Sequence, residues 1–236
     1  MYPGLTPRLR TVAELVPTGS VLADVGTDHG YLPVSLVARG RIPSAIATDL
    51  RAGPLERARR ALERYGLEDL IQLRLCDGLA GVRADEVDAV TIAGMGGETI
   101  LGILEAAPWS LRKACILQPM SAVETLRAGL DRLGADIAKE VLVQEGDAIY
   151  VVLALTQKQD QSGARPLTAA ESFVGRREAH AGDPLWPLYL DRAKRRAERA
   201  LDGLERSARA SDQPRKAYFQ QVLSGLNEMT KEGENQ

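Results

Sequence analysis

The residues of this chain best suited to chemistry are the aspartates that stand where apolar runs stop. Ser20-Val21-Leu22-Ala23-Asp24-Val25 runs into Gly26-Thr27-Asp28. Ala45-Ile46-Ala47-Thr48 ends at Asp49, and Ile71-Gln72-Leu73-Arg74-Leu75 ends at Cys76-Asp77-Gly78. If these runs are parallel strands, the acids line the carboxyl edge of the sheet, where open α/β sheets bind ligands. Any one Asp is as readily a helix cap or a turn residue. Three at successive strand ends point to one ligand.

Gly26 stands where the backbone must turn tightly, yet the Gly-x-Gly-x-x-Gly pattern that cradles a pyrophosphate is not there. The acceptors suit a ligand with ribose hydroxyls, an amine and an adenine amino group but no phosphate. S-adenosylmethionine meets that description. Asp49 is expected to accept from both ribose hydroxyls, and Asp77, followed by Gly78, from the adenine amino group. Gly26 would admit the methionine part, with Asp24 and nearby carbonyls meeting its ammonium.

A fourth run, Val87 to Ala93, leads into Gly94-Met95-Gly96-Gly97, next to where a transferred methyl would sit. Three glycines in four residues permit positive φ and leave room for a planar base. The Asn/Asp-Pro-Pro-aromatic motif with which many methyltransferases hold an exocyclic amine is not in this place, which favours a ring nitrogen or another acceptor. Asp28 and His29, in Asp28-His29-Gly30-Tyr31-Leu32-Pro33, are candidates to face the acceptor, and Tyr31 to stack on a base. Adenine N1 already has a free lone pair and needs no base. A carboxylate bonded to the amino group would offset the charge that develops on the ring, and alignment supplies the rest.

Gln118-Pro119 closes a fifth run, Ala114 to Leu117, and is also expected to reach the acceptor. Arg8 and Arg10 lie in an N-terminal helix whose Leu9, Val12, Ala13 and Val16 would pack on the sheet, leaving guanidinium groups for phosphates. The runs Arg57, Arg59, Arg60, Arg64 and Lys194, Arg195, Arg196, Arg199 read as solvated helix faces. Only an RNA substrate would make them phosphate contacts.

These residues need a scaffold of alternating strands and helices. Helical periodicity fills the gaps, as in Pro54 to Tyr65 and Ser121 to Leu133, and such alternation builds a parallel sheet covered on both faces. Asp136 to Gln144 and Ala148 to Leu155 are separated only by Glu145-Gly146-Asp147, so they form an antiparallel hairpin. The expected fold is α/β, a seven-stranded mixed sheet.

Thr156 to Pro166 reads as a polar linker. Beyond it, Leu188, Tyr189, Ala193, Ala197, Ala200, Leu201, Leu204 and Ala208 form one apolar stripe, and Phe219, Val222, Leu223 and Leu226 a second, joined through Ser211-Asp212-Gln213-Pro214. Two such helices make a coiled-coil-like helical hairpin. The boundaries expected are 1–157 for the α/β domain and 158–236 for the helical one.

Composition excludes several classes. In 236 residues, 44% are hydrophobic and 26% charged, which argues against disorder. No apolar run reaches the roughly 18 residues of a membrane span, and Met1 to Arg10 has no secretory-signal pattern. Cys76 and Cys115 read as buried free thiols of a reducing cytoplasm, with no metal site expected. Residues 1–157 carry 16 Lys and Arg against 20 Asp and Glu, and the remainder 14 against 12. A polyanion would therefore be met by local basic patches, not by net charge. No obligate protein partner is implied.

Four stretches carry a resemblance: Leu5-Thr6-Pro7-Arg8-Leu9, Ala23 through Pro33, Ile92-Ala93-Gly94-Met95-Gly96-Gly97 and Ile116-Leu117-Gln118-Pro119. Together they resemble the bacterial TrmK-type tRNA methyltransferases over residues 5 to 155. The resemblance implies a class I methyltransferase (Rossmann-like) domain, a helical C-terminal domain that helps hold tRNA, and methylation of adenine 22 at N1 with S-adenosylmethionine. Carried over by position, cofactor binding falls on Asp24, Gly26, Asp28, Asp49, Asp77, Gly78, Gly94 and Met95. Asp28, His29 and Gln118 become the catalytic candidates, and Arg8, Arg10, Tyr31, Gly96 and Pro119 the substrate-binding ones. Gly30 stands where the family often has Ala, and Met120 where Asn often follows Gln-Pro, which touches the acceptor side. The alternatives are a methyltransferase for a small molecule or another RNA position, or a non-catalytic RNA-binding module of the same fold.

Overall fold

The computed structural model describes residues 3–156, 165–206 and 209–233. Helix α1 (Pro7–Leu15) starts where the Thr6 hydroxyl accepts the Leu9 N–H and Pro7 takes the first turn, and it buries Val12 and Ala13. Strands β1 (Leu22–Val25) and β2 (Ala45–Asp49) are buried along their whole length, as central parallel strands are. Between them runs α2 (Tyr31–Ala38). Helix α3 (Ala52–Tyr65) buries Leu55, Ala58, Ala61 and Leu62 on one face and stops at Gly66, at φ +63°.

The sheet continues with β3 (Ile71–Leu75), β4 (Ala89–Gly96) and β5 (Ala114–Ser121), with α4 (Gly97–Ala106) and α5 (Val123–Arg132) as crossovers. Strands β6 (Asp136–Glu145) and β7 (Ala148–Thr156) close it as the expected hairpin, turning on Gly146 and Asp147 alone. The order is β3-β2-β1-β4-β5-β7-β6, with parallel pairing through β5 and antiparallel pairing beyond it.

Three local expectations need correction. Gly94-Met95-Gly96 does not follow β4 but forms its bulged end, with register shifts around Met95. Gln118 and Pro119 do not follow β5; they are part of it, with Pro119 opposite Met95. Cys115 is buried, which pushes its thiol up to about 12, whereas Cys76 is only half-buried.

Beyond residue 164, α6 (Ala169–Val174) begins with a capping box in which Thr168 and Glu171 satisfy each other's backbone N–H. It packs with α7 (Trp186–Glu205) and α8 (Gln213–Gly233) around Phe173, Val174, Ala193, Ala197, Val222 and Leu226. On α7 it is Leu190 that faces in, while Leu188 is 40% exposed. Ala208 and most of the expected linker lie outside the described residues. No helix among the described residues is long and apolar enough to cross a membrane.

A buried polar joint ties the helical region to the sheet. Arg127 of α5 pairs with Glu140 of β6 through Nη2 and Oε1 and donates to the backbone carbonyls of Ser172 and Phe173, at 3.2 and 3.0 Å. His180 Nε2 lies 3.1 Å from the same Glu140 oxygen. Burial pushes the Glu140 carboxyl up, but the Arg127 charge and the hydrogen bonds outweigh it and hold it below the usual range.

Candidate active site

The carboxyl ends of β1 to β5 form one edge, and the loop after β1 is its tightest element. The N–H groups of Gly26 and Thr27 both donate to the Thr48 carbonyl, at 2.8 and 3.0 Å, so the loop is stitched to β2. Gly26 sits at φ +70°, and a β-carbon there would overlap Met95 Cε. Gly26 and Met95 therefore face each other across the junction of β1 and β4, where the strand order reverses.

Asp24 lies beneath this loop, not in it. Its two oxygens accept from the hydroxyls of Thr27 and Thr91, both at 2.7 Å, and only 4% of the residue is exposed. Burial pushes its carboxyl up to about 6 against the pull of the two hydroxyls. Its evident work is to fasten the loop to β4, so the direct contact with a ligand ammonium expected for it has no support in this geometry.

Asp49 closes β2 with its Oδ1 accepting the Arg51 N–H at 3.0 Å. The next residue, Leu50, is 66% exposed and offers an apolar surface beside that carboxylate. After β3, Asp77 is exposed, and Gly78, at φ +53°, lies against Ile103 of α4. Asp77 and Gly78 open onto a cavity of about 510 Å³ also lined by Leu79, Thr99, Ile103 and Trp109. Acids at the strand ends and an apolar slot next to Asp77 fit a nucleoside without phosphates.

A second wall forms at the ends of β4 and β5. Gln118 is fully buried: its Oε1 accepts from Arg8 Nη1 and from the Gly94 N–H (3.1 Å), and its Nε2 donates to the Pro119 carbonyl (2.7 Å). With both ends of the amide committed, Gln118 orients Arg8 and Gly94 instead of touching an acceptor. Pro119 is buried as well, and the exposed residues at this edge are Met120, at 45%, and Ser121.

Arg8 is held further by Glu145, whose Oε2 accepts the Arg8 N–H at 3.1 Å, and its guanidinium lies over the Tyr150 ring at 5.5 Å. Burial pushes the Glu145 carboxyl up, but bonds from the Arg8 N–H and Thr6 together with the Arg8 charge carry it below the usual range. Arg8 Nε is buried without a hydrogen-bond partner among the described residues. Arg10, two residues along α1, projects about 200° away round the helix and is exposed. Only Arg8 faces the site.

Asp28 and His29 form a third group. Asp28 takes a left-handed conformation, φ +50°, and accepts from Arg57 Nη2 at 2.6 Å, with His29 Nε2 at 3.6 Å. His29 stacks on Tyr31 with ring centroids 5.2 Å apart. The catalytic candidates thus separate into a buried Gln118 and an exposed Asp28–His29 pair. Glu145, Tyr150 and Leu50 were missed in the sequence, where Arg57 was read only as part of a solvated helix face. The spacing of Arg57, Arg60 and Arg64, at i, i+3 and i+7, carried a signal for Arg57.

A parallel sheet whose order reverses between β1 and β4, closed by an antiparallel hairpin and with acids at the ends of β2 and β3, is the architecture of a class I, Rossmann-like methyltransferase. The chain belongs to the methyltransferase-domain family, whose model matches residues 5–153, and within it to the TrmK type. It is 41% identical over 151 residues to the tRNA (adenine(22)-N(1))-methyltransferase of Bacillus subtilis, a match covering 63% of each chain. The crystal structure of the B. subtilis tRNA methyltransferase TrmK superposes with a TM-score of 0.85 at 30% identity, covering 96% of this chain and 98% of that one. A Streptococcus pneumoniae protein solved in complex with S-adenosyl-L-methionine gives 0.79 at 32% identity, covering 96% and 99%.

Proposed function

We propose that this protein transfers a methyl group from S-adenosylmethionine to N1 of adenine 22 in tRNA, in the cytoplasm. Residues 1–157 would be the methyltransferase domain, and residues 158–236 a helical domain that helps hold the folded tRNA. The observation that carries the reading is the phosphate-free nucleoside site built from Gly26, Asp49 and the cavity beside Asp77, immediately next to the Arg8–Gln118–Gly94 wall. The activity borne in the name of the B. subtilis relative and the S-adenosyl-L-methionine bound by the S. pneumoniae one support it.

S-adenosylmethionine supplies, when bound, an electrophilic methyl group on a sulfonium. Asp49 would hold the ribose hydroxyls, Asp77 and Gly78 the adenine, and Gly26 with Met95 would flank the methionine part. Gly94, whose missing β-carbon would face Arg8 at 3.7 Å, would leave space for the acceptor base near the end of β4, with Gly96 beside it. Arg8, fixed by Gln118 and Glu145, presents a preoriented cation to the incoming RNA. N1 of adenine attacks with its own lone pair, so these residues align it and remove no proton. Asp28 would accept a hydrogen bond from the exocyclic amino group, which gains acidity as the ring becomes cationic.

Transfer of labelled methyl from S-adenosylmethionine to unmodified bulk tRNA, followed by nucleoside analysis, tests this reading. The expected product is 1-methyladenosine. Labelled 6-methyladenosine, or no transfer by protein that binds S-adenosylmethionine, overturns it.

A further inference from the structure

A groove separate from the cofactor cleft opens between the start of α2 and the exposed face of α3. Its volume is about 460 Å³, and its lining includes His29, Tyr31, Arg57, Arg60, Arg64 and Tyr65. Positions 57, 60 and 64 fall on one stripe of α3, so three guanidinium groups share this face. Arg57 is engaged by Asp28, and Arg64 lies over the Tyr65 ring at 5.7 Å. The Arg60 side chain is 75% exposed, and its ion pair with Glu56 is a loose 3.6 Å, with Glu56 shared by Arg59. Cationic forks above flat rings match a single RNA strand, whose phosphates take guanidinium groups and whose bases stack on aromatic faces. Tyr31, backed by His29 and 43% exposed, offers such a face.

The groove adjoins the acceptor side through the chain segments that line it. Pro3 and Gly4 also line it, and four residues further on the same segment presents Arg8 to Gln118, a chain span of at most about 13 Å. His29 adjoins Asp28 of the cofactor loop. We propose that this groove is a second nucleotide subsite: it stacks one unpaired base flanking the acceptor adenine on Tyr31 and clamps adjacent phosphates with Arg60 and Arg64. The proposal rests on an RNA substrate for the neighbouring site.

Binding of unmodified tRNA to the full chain, with S-adenosylhomocysteine present, should be measured across salt concentrations. For Arg60→Gln/Arg64→Gln, the slope of log affinity against log salt should flatten by about 1.4, since each phosphate on a single strand contributes about 0.7. Arg59→Gln, on the same helix but outside the groove, should leave the slope as it is. Tyr31→Leu should weaken binding roughly 5- to 100-fold at every salt concentration with the slope retained. Affinity for S-adenosylhomocysteine reports folding in each variant. If wild-type protein methylates tRNA and the double variant keeps the wild-type slope, the groove is no phosphate site and the proposal falls alone. If wild-type protein neither binds nor methylates tRNA, it falls together with the reading it rests on.

Discussion

The Met95 side chain reaches back from the bulged end of β4 to cover Gly26, leaving no room for a β-carbon there. Two segments 69 residues apart thus shape one cleft, and a side chain at residue 26 would displace the end of Met95. Gly26→Ala meets both this overlap and the cost of a positive φ, about 1–2 kcal/mol for a residue with a β-carbon. Calorimetry should show S-adenosylmethionine binding weakened about 10-fold or more. Adding Met95→Ala should relieve the steric part and leave the backbone part. Full recovery in the double variant would mean that the conformation of residue 26 does not matter.

Asp28 is clasped by Arg57 and His29 at the edge of the site, in a conformation that Asn also tolerates. Asp28→Asn should keep the backbone and the affinity for S-adenosylmethionine while lowering kcat about 100-fold, the scale of losing one electrostatic stabiliser. Parallel losses in binding and turnover would make Asp28 a cofactor residue instead.

Asp24 gives a pH signature. Its folded carboxyl, at about 6, stands above the unfolded value of about 3.9. Between those values the folded protein binds more protons than the unfolded chain, so stability falls as pH rises through that window. Denaturant titrations of wild type and Asp24→Asn should give a stability difference that moves against the wild type by on the order of 2 kcal/mol from pH 4 to pH 7. A difference that stays constant with pH would contradict this.

The Arg127–Glu140 pair predicts an asymmetric response. Arg127→Met strands the Glu140 carboxylate beside His180 in the interior and should cost about 3–5 kcal/mol in urea unfolding. Replacing both residues, as Arg127→Met/Glu140→Leu, should recover much of that loss. A double variant no better than the single one would show that the carbonyls of Ser172 and Phe173 need the guanidinium in their own right.

Much of this architecture was legible in the sequence for local reasons. Apolar runs stopping at Asp49 and Asp77 mark strand ends, and two short strands around Gly146 can only be a hairpin. What local sequence does not show depends on partners distant in the chain. Asp24 reads as a ligand acid until Thr91, 67 residues on, is seen to hold it. Gln118-Pro119 reads as a strand stop, but the bulge at Met95 lets β5 continue past a proline and buries the amide against Arg8. The Arg127–Glu140–His180 joint has no local signature, because three ordinary polar residues become a unit only once α5, β6 and the turn before α7 converge. Arg10 could have been set aside from helical geometry alone, since positions two apart never share a face.

The most direct test of the central claim uses two unmodified tRNA transcripts that differ only at position 22, one with adenine and one with guanine. Each is incubated with the protein and labelled S-adenosylmethionine, and the methylated nucleotide is located by primer extension. The account predicts methylation of the first transcript alone, with a block at adenine 22 and 1-methyladenosine on digestion. Equal labelling of both transcripts, or a block at another position, would contradict it.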